Sequence, residues 1–412
     1  MSDSRSIRFA LFGVPAVALA VAAFAPTTRP TACVDEVLVV YDAGVADAGA
    51  VESVVRVSAP DARATTRTDV RGADGTRLAA VVFELADARR EDALLDRLRE
   101  TPGVVHAGRN RHWQVRGAPK DDVLLDDEIY GLAVSSQPAI GQIGATGSGG
   151  DGVVVGVLDG GFDLGHEYIA PSIGAGAWDA LDDDNDPEDF GNGVDDDADG
   201  HTDHMVGHGT FVSGLVHAVA PGATIVPIRV LDDEGYATDL SLWRGVTKAL
   251  DASADVINMS MVIPDLPSSL ASLLDSARQQ GVVVVTAAGN DANGPYDDTD
   301  FAARSIVVGG VDGSDVVLTW SPSGTHVEVY APSKTIVGPY GCTVPDSYGT
   351  WSGTSFGSAF VAGAAAVLKG AHPSLSVTDV EGLLQGETDP VTGDSSNGRV
   401  DIGAALDAAN GQ

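Results

Sequence analysis

Cysteine, aromatic residues and positive charge are all scarce in this 412-residue sequence. The two cysteines, Cys33 and Cys342, are too few for a disulfide framework, although large secreted domains can fold without disulfides. Aromatic residues make up 6% of the chain, whereas glycine contributes 50 residues and apolar residues make up 44%. This composition favours a compact α/β protein with many tight turns over a disordered chain.

The shortage of positive charge is confined to one part of the chain. Lysine and arginine number 24 against 59 acidic residues, which gives a formal net charge of −35. Residues 34–117 hold 14 acids and 12 bases, whereas residues 118–412 hold 44 acids and 9 bases. Such an acidic body disfavours binding to nucleic acid and to anionic membranes. It is compatible with cation binding, with solubility in general or with a salty habitat.

The first 33 residues have the layout of a signal peptide. Arg5 and Arg8 precede an apolar run over residues 9–25, and small residues follow it. The run is short for a membrane-spanning helix, but a retained membrane anchor is the alternative. The stretch 31–33 also resembles a weak lipoprotein cleavage box. We therefore expect a secreted protein, with a cell-surface anchor or a lipoprotein as alternatives.

Residues 34–117 predict a small α+β domain. EVLVVY and LAAVVFEL are rich in β-branched and apolar residues and predict strands, and VVHAGRNRHWQV predicts a last strand. EDALLDRLRETPGV has the apolar spacing of an amphipathic helix. Residues 118–150, which are irregular and rich in aspartate, are interpreted as a linker and the start of the next domain.

Residues 151–412 alternate between short apolar runs and helical stretches. VVVGVLD, ATIVPIRVLD, DVINMSM, GVVVVTAAGN and SIVVGGVD predict buried strands. LSLWRGVTKALDAS and SLASLLDSARQQ predict helices between them. This alternation predicts an α/β domain with a mostly parallel sheet sandwiched by helices.

Four motifs place reactive side chains at the ends of these elements. Asp159 ends the run VVVGVLD, His208 begins a helix in GHGTFVSGL, Asn290 follows VVVVTAAG, and Ser355 begins a helix in GTSFGSAF. Taken singly, each has a structural explanation as a capping or turn residue. Taken together, they supply a nucleophile, a base, an orienting carboxylate and an oxyanion donor, which are the parts needed for acyl transfer.

These motifs, in the order Asp, His, Asn, Ser, resemble those of the subtilisin-like serine protease family over about residues 152–408. The resemblance implies a subtilisin-like fold and a serine endopeptidase that hydrolyses protein or peptide substrates through an acyl-enzyme. In that chemistry Ser355 attacks, His208 carries the proton, Asp159 orients His208 and Asn290 binds the oxyanion.

The resemblance also implies a substrate strand, a pocket wall and a propeptide. Residues 34–117 resemble the family's propeptide, which assists folding and inhibits the enzyme until it is cleaved. Its 12 bases could complement the acidic body. We therefore expect a monomeric, self-processed zymogen, with its processing site between Arg109 and Val123. The implied substrate-binding positions are Ser260, Met261 and Val262 on the strand, and Ala287, Ala288 and Gly289 in the pocket wall.

An acidic insertion over residues 179–203 separates the Asp159 and His208 motifs and holds 12 acids with no lysine or arginine. Alternating carboxylates followed by glycine resemble the calcium loop of an EF-hand, although Val206 stands where that loop has its bidentate glutamate. Because carboxylates this dense repel one another, we expect a structural calcium ion, with a merely solvated loop as the alternative. No organic cofactor is expected. The expected ligands are Asp195, Asp197, Asp199 and Asp203, with a looser second series of Asp182, Asp184 and Asp186.

Two other functions stay open at this point. A metallopeptidase could use His201, His204 and His208, but the local oxygen donors suit calcium better than zinc and no H-E-x-x-H motif is present. A non-catalytic binding protein on a protease-like fold is the second alternative. The presence of all four reactive groups argues against it.

Overall fold

The computed structural model describes residues 35–71, 76–114, 124–125, 131–195, 201–263, 266–292, 299–341 and 346–411. These residues belong to one compact unit. The expected leader over residues 1–33 lies outside the described residues, as do both cysteines. None of the described helices combines the length and the apolar character that crossing a membrane requires.

The first part of the described chain is a small α+β subdomain, as expected. Its main elements are β1 (Asp35–Asp42), α1 (Ala48–Ser58), β2 (Arg63–Arg71), β3 (Arg77–Leu85), α2 (Glu91–Arg99) and β4 (Val104–Arg109). The four strands form an antiparallel sheet in the order β2-β3-β1-β4. The short strands β5 (His112–Gln114) and β6 (Leu124–Leu125) follow it.

Both faces of this small sheet are buried. Successive side chains of a strand point to opposite faces, so Val37 and Val39 of β1 join the core beneath α1 and α2. Leu38 and Val40 point the other way and join a core cluster that also contains Trp243. The second face therefore packs against the main body of the protein.

The main body is built on a nine-stranded sheet. The remaining strands are β7 (Val154–Asp159), β8 (Trp178–Asp179), β9 (Thr224–Arg229), β10 (Tyr236–Thr238), β11 (Val256–Met259), β12 (Val283–Ala287), β13 (Ile306–Val311), β14 (Val329–Pro332), β15 (Ile336–Pro339), β16 (Tyr348–Trp351), β17 (Thr388–Asp389) and β18 (Arg399–Val400). The large sheet has the order β17-β18-β14-β13-β12-β11-β7-β9-β8, and its neighbours are parallel except for β17 and β18.

Helices cover both faces of this sheet. Their bounds are α3 (Gly131–Ser136), α4 (Pro138–Gln142), α5 (His208–Val219), α6 (Asp239–Asp251), α7 (Ser268–Gln279), α8 (Thr299–Ala302), α9 (Thr354–Ala371), α10 (Val377–Gly386) and α11 (Ile402–Asn410). Residues of α5 and α9 share one core cluster, whereas residues of α6 and α7 share another. The predicted mostly parallel sheet sandwiched by helices is confirmed.

Helices α5 and α9 pack against each other at a glycine. A Cβ atom at Gly363 of α9 would lie 2.7 Å from the Cβ of Val219 and 3.3 Å from the carbonyl oxygen of Val216, both in α5. The N-terminal turns of the two helices also meet, because the rings of Phe211 and Phe356 have centroids 4.6 Å apart. This packing fixes the relative positions of the two helix N-termini.

Gly363→Ala tests the importance of this contact. The added methyl group would crowd the Val219 side chain, so we expect the free energy of unfolding to fall by about 1–3 kcal/mol, although alanine favours the helix. Gly382→Ala in α10 is the matched control, because its added Cβ meets nothing within 4 Å. There we expect a gain of about 0.5–1 kcal/mol. Chemical denaturation followed by circular dichroism measures both, and equal effects would contradict the prediction.

Candidate active site

Asp159 is the last residue of β7, an interior strand of the large sheet, and so lies at the carboxyl end of that strand. Its side chain is fully buried. Its Oδ1 accepts a hydrogen bond of 2.8 Å from the Gly160 N–H and lies 2.5 Å from Nδ1 of His208. A carboxylate in this position holds the proton on Nδ1 and leaves Nε2 as the basic nitrogen of the ring.

His208 is the first residue of α5 and its ring is buried. Gly207 precedes it with φ of 83°, and a Cβ there would lie 2.4 Å from the ring of Tyr340, so this tight entry to the helix requires glycine. The rings of Trp351 and Phe356 pack against the imidazole at centroid distances of 5.6 and 5.7 Å. Within the described part of the chain, Nε2 of His208 is buried without a hydrogen-bond partner.

Ser355 is the second residue of α9 and precedes Phe356, which touches the His208 ring. Its Oγ donates a hydrogen bond of 3.1 Å to the carbonyl oxygen of Ser260. The hydroxyl therefore points to Ser260 in this structure, and a rotation about χ1 is the motion that would redirect it. The first turn of α9 also supplies backbone N–H groups at the helix end that carries partial positive charge.

Asn290 lies three residues after β12 and contacts the residue before Ser355. Its Oδ1 accepts a hydrogen bond of 2.8 Å from the Thr354 N–H and lies 3.1 Å from Thr354 Oγ1. Nδ2 is the hydrogen-bond donor of this amide, and the contacts of the oxygen with Thr354 fix the orientation of the side chain. Asn290 is fully buried, as are Asp159 and His208.

Comparison with known proteins identifies the family. A profile of the Subtilase family matches residues 150–401. The chain belongs to the subtilase family. Subtilisin E of Bacillus subtilis is 30% identical over 270 residues, which is 62% of this chain and 65%, just under two thirds, of that relative. Thermitase of Thermoactinomyces vulgaris is 30% identical over 254 residues, or 59% of this chain and 84% of that relative.

Solved structures agree on the fold of this subtilase. Fervidolysin from Fervidobacterium pennivorans, described as a keratinolytic enzyme related to subtilisin, aligns with a TM-score of 0.67 over 91% of this chain and 61% of that chain at 21% identity. A protease from Pseudoalteromonas arctica aligns with a TM-score of 0.55 at 27% identity, covering 67% of this chain and 94% of that chain.

Of the substrate positions expected from the sequence, Ser260 is in direct contact with Ser355. Ser260 and Met261 directly follow β11, and Ser260 touches the nucleophile candidate through its carbonyl oxygen. The carbonyl oxygen of Met261 accepts a hydrogen bond of 2.6 Å from Thr286 Oγ1, so this part of the segment is tied into the core. Val262 follows and is partly buried.

The expected pocket wall leads from β12 to Asn290. Ala287 is the last residue of β12, and the Ala288 N–H donates to the carbonyl oxygen of Val308. The Gly289 N–H donates to Thr354 Oγ1 at 3.0 Å, and its φ of 94° turns the chain toward Asn290. The backbone of the wall is thereby fixed to the first turn of α9.

A short strand near Asp159, β10, was not predicted from the sequence. The main-chain oxygen of Asp159 accepts hydrogen bonds from the N–H groups of Val230 and Leu231, and a turn leads from there to β10. Strand β10 pairs antiparallel with β5, the segment that leaves the N-terminal subdomain. Strand β10 has only three residues, so no alternating pattern could reveal it, whereas residues 112–114 lay within the predicted strand VVHAGRNRHWQV.

The first part of the acidic insertion is neutralised by arginines from outside it. Arg229 Nη1 donates to the buried Asp179 carboxylate at 2.8 Å, and Arg244 Nη2 donates to Asp183 at 3.0 Å. Burial alone would lower the pKa of Arg229, but the Asp179 carboxylate raises it above its ordinary value. Arginine therefore supplies cations where we expected calcium alone to do so. The second ligand series, which is exposed, comprises Asp182, Asp184 and Asp186.

The second part of the insertion brings several carboxylates together near Asp203. Asp203 accepts hydrogen bonds from the N–H groups of Asn192 and Gly193 at 3.0 and 2.8 Å. Burial, Asp232 and Asp203 together raise the pKa of Asp233 to about 6. Asp195 is partly buried, whereas Asp197 and Asp199 lie outside the described residues.

The described residues contain no ready-made metal centre. No group of three or more His, Cys, Asp or Glu side chains among them has the arrangement of a metal site. The rings of His201 and His204 lie 6.4 Å apart, and Nδ1 of His204 lies 3.1 Å from a carboxylate oxygen of Glu234. His208 is instead bound to Asp159, so the described geometry gives no support to a zinc site built on the three histidines.

Proposed function

We propose that this subtilase is a serine endopeptidase that hydrolyses peptide bonds through an acyl-enzyme. Asp159, His208 and Ser355 are its catalytic triad and Asn290 is its oxyanion donor. The observation that carries the proposal is the buried contact of 2.5 Å between Asp159 and His208 next to the N-terminus of α9. Family membership supports it.

The first half of the reaction forms the acyl-enzyme. Nε2 of His208 takes the proton of Ser355 as Oγ bonds to the carbonyl carbon of the substrate. The resulting tetrahedral oxyanion accepts hydrogen bonds from Nδ2 of Asn290 and from the backbone at the start of α9. The C–N bond then breaks, the amine leaves with the proton that His208 returns, and the acyl group stays on Ser355.

The second half hydrolyses the acyl-enzyme. His208 takes a proton from water, whose oxygen bonds to the acyl carbon. The tetrahedral intermediate collapses, the bond to Ser355 Oγ breaks, and His208 returns the proton to that oxygen. The products are a carboxylic acid, an amine and the free enzyme. Throughout, the Asp159 carboxylate stabilises the positively charged imidazole.

We propose further that residues 34–117 are an inhibitory propeptide removed by the enzyme itself. Residues 112–114 pair antiparallel with β10. His112 therefore lies opposite Thr238, and Gln114 lies opposite Tyr236. This direction leads toward Leu231 and Asp159. The bond that is cut would therefore lie on the C-terminal side of Gln114, within the range up to Val123 that the sequence predicts. Residues 1–33 would direct secretion, as their basic and apolar pattern indicates.

Ser355→Ala tests the chemistry. We expect its turnover of casein to fall by about 10⁴-fold or more, because alanine has no hydroxyl with which to attack the substrate carbonyl. A fluorophosphonate probe should label the wild-type chain at Ser355 and not the variant. Equal activity of the two forms would favour a non-catalytic role for Ser355, and activity lost to chelators without probe labelling would favour a metallopeptidase.

The same pair of chains tests self-processing. N-terminal sequencing of wild-type protein should find a new N-terminus after Gln114 and no later than Val123, whereas Ser355→Ala should keep residues 34–114. Processing of the variant when it is expressed alone would show that another protease removes the segment.

Asn290→Asp tests the oxyanion role separately from stability. The aspartate keeps an oxygen for the Thr354 N–H but loses the Nδ2 donor and adds a negative charge beside the oxyanion. We expect kcat to fall by about 10²–10³-fold with little change in KM. A matching thermal midpoint would exclude unfolding as the cause, and an unchanged kcat would contradict the role.

We also propose that calcium binds the loop over residues 195–203. The alternating carboxylates of that loop support it, and hard oxygen donors suit this ion. The ligands would be Asp195, Asp197, Asp199 and Asp203. The exposed series at 182–186 fits less well, because arginines already neutralise the adjacent Asp179 and Asp183.

Isothermal titration of the chelator-treated protein tests the calcium proposal. We expect wild-type protein to bind calcium and Asp195→Asn/Asp197→Asn to lose that heat, since both remove ligand charge. Asp182→Asn/Asp186→Asn changes the net charge equally and should bind normally. Absence of heat in the wild-type protein would contradict a calcium site.

A further inference from the structure

Residues 110–114 of the N-terminal segment lie along β10 as an extended peptide. Gln114 pairs with Tyr236 and His112 with Thr238, and the Asp239 N–H donates to the carbonyl oxygen of Arg111. An edge strand of this kind accepts peptides through its backbone, and pockets for alternate side chains give the selectivity. Because the segment runs toward Asp159, it lies where the residues of a substrate on the N-terminal side of the cleaved bond would bind.

Two side chains of this segment converge on one carboxylate. Arg111 and Trp113 are two residues apart and so share a face of the extended chain. Arg111 Nε donates to Asp239 Oδ2 at 3.1 Å, and Trp113 Nε1 donates to Asp239 Oδ1 at 2.8 Å. The guanidinium carbon of Arg111 also lies 4.4 Å from the centre of the Trp113 ring. Both oxygens of the Asp239 carboxylate thus accept hydrogen bonds from one Arg-x-Trp segment.

Asp239 belongs to the body of the enzyme and is held in place there. It is the first residue of α6, directly after the N-cap Thr238, whose side chain and that of Ser241 form a capping box. The helix N-terminus favours a carboxylate at this position. With the segment in place, Asp239 is only 2% exposed. A peptide without donors at these two positions would bury the carboxylate unpaired, which is costly.

We propose that Asp239 is a specificity-determining residue of this protease. It favours substrates that carry a basic residue and, two residues later, an indole N–H donor on the N-terminal side of the cleaved bond. The segment Arg111-His112-Trp113 of the same chain is the first such sequence to occupy this site. This proposal rests on the proposed function, since it describes how the same site selects its substrates.

Quenched fluorescent peptides spanning residues 109–123 test the proposal on protein purified after expression of the full chain. One peptide has the native sequence, and a second carries citrulline at 111 and benzothienylalanine at 113. These analogues keep the shapes but remove the positive charge and the indole N–H. We expect wild-type enzyme to cleave the second peptide with kcat/KM about 10- to 100-fold lower, because citrulline keeps its Nε–H but loses the charge that strengthens this hydrogen bond, and benzothienylalanine lacks the other donor.

Two variants then assign the preference to Asp239. Asp239→Asn removes the charge and should shrink the difference between the two peptides to less than about threefold. Asp251→Asn, an exposed residue at the other end of α6, removes the same charge and should keep the full difference. A preference that survives in Asp239→Asn would overturn the assignment.

The wild-type comparison alone keeps the proposal falsifiable if Asp239→Asn does not fold. Enzyme that cleaves casein but cuts both peptides equally well would overturn the role of Asp239 and leave the proposed function intact. Enzyme that cleaves neither casein nor any peptide would instead overturn the proposed function. Mass spectrometry of the products confirms that the same bond is cut in both peptides.

Discussion

The packing of α5 against α9 is the contact on which the geometry of the candidate active site depends. One helix begins at His208 and the other carries Ser355 in its first turn, and Gly363 of α9 packs against Val219 of α5. Asp159 comes from the sheet and reaches His208 at the strand's carboxyl end. Side chains separated by 49 or more positions in the chain therefore meet because one parallel sheet and two helices share an edge.

The elements that position the site were predictable because each has a local signature. The buried strands β7, β11, β12 and β13 are continuous apolar runs, and the reactive residues stand at their ends or at helix starts. The pairing of β5 with β10 was not predictable. The stretch VVHAGRNRHWQV predicted one strand, but the structure has two, because Asn110 bonds both to Glu36 and to the N–H of Leu240, 130 positions away.

The acidic insertion shows a different limit of sequence reasoning. A window over residues 179–203 contains no positive charge, and mutual repulsion therefore predicted a bound cation. Folding brings Arg229 from β9 to Asp179 and Arg244 from α6 to Asp183. The repulsion argument consequently loses its force for the first half of the insertion. It keeps its force near Asp203, because burial, Asp232 and Asp203 together raise the pKa of Asp233 to about 6.

The composition suggested that the bases of the N-terminal subdomain complement the acidic body, but several of them pair within the subdomain. Arg67, Arg89 and Arg99 pair with acids of their own subdomain, whereas Arg111 crosses to Asp239. The rest of the contact includes an apolar sheet face, with Leu38 and Val40 in the same core cluster as Trp243. Apolar burial is non-directional, so it can hold the subdomain without fixing the register of the segment that follows. The register is fixed by hydrogen bonds along β10 and by the two donors on Asp239, and these contacts set the direction of residues 112–114 along β10.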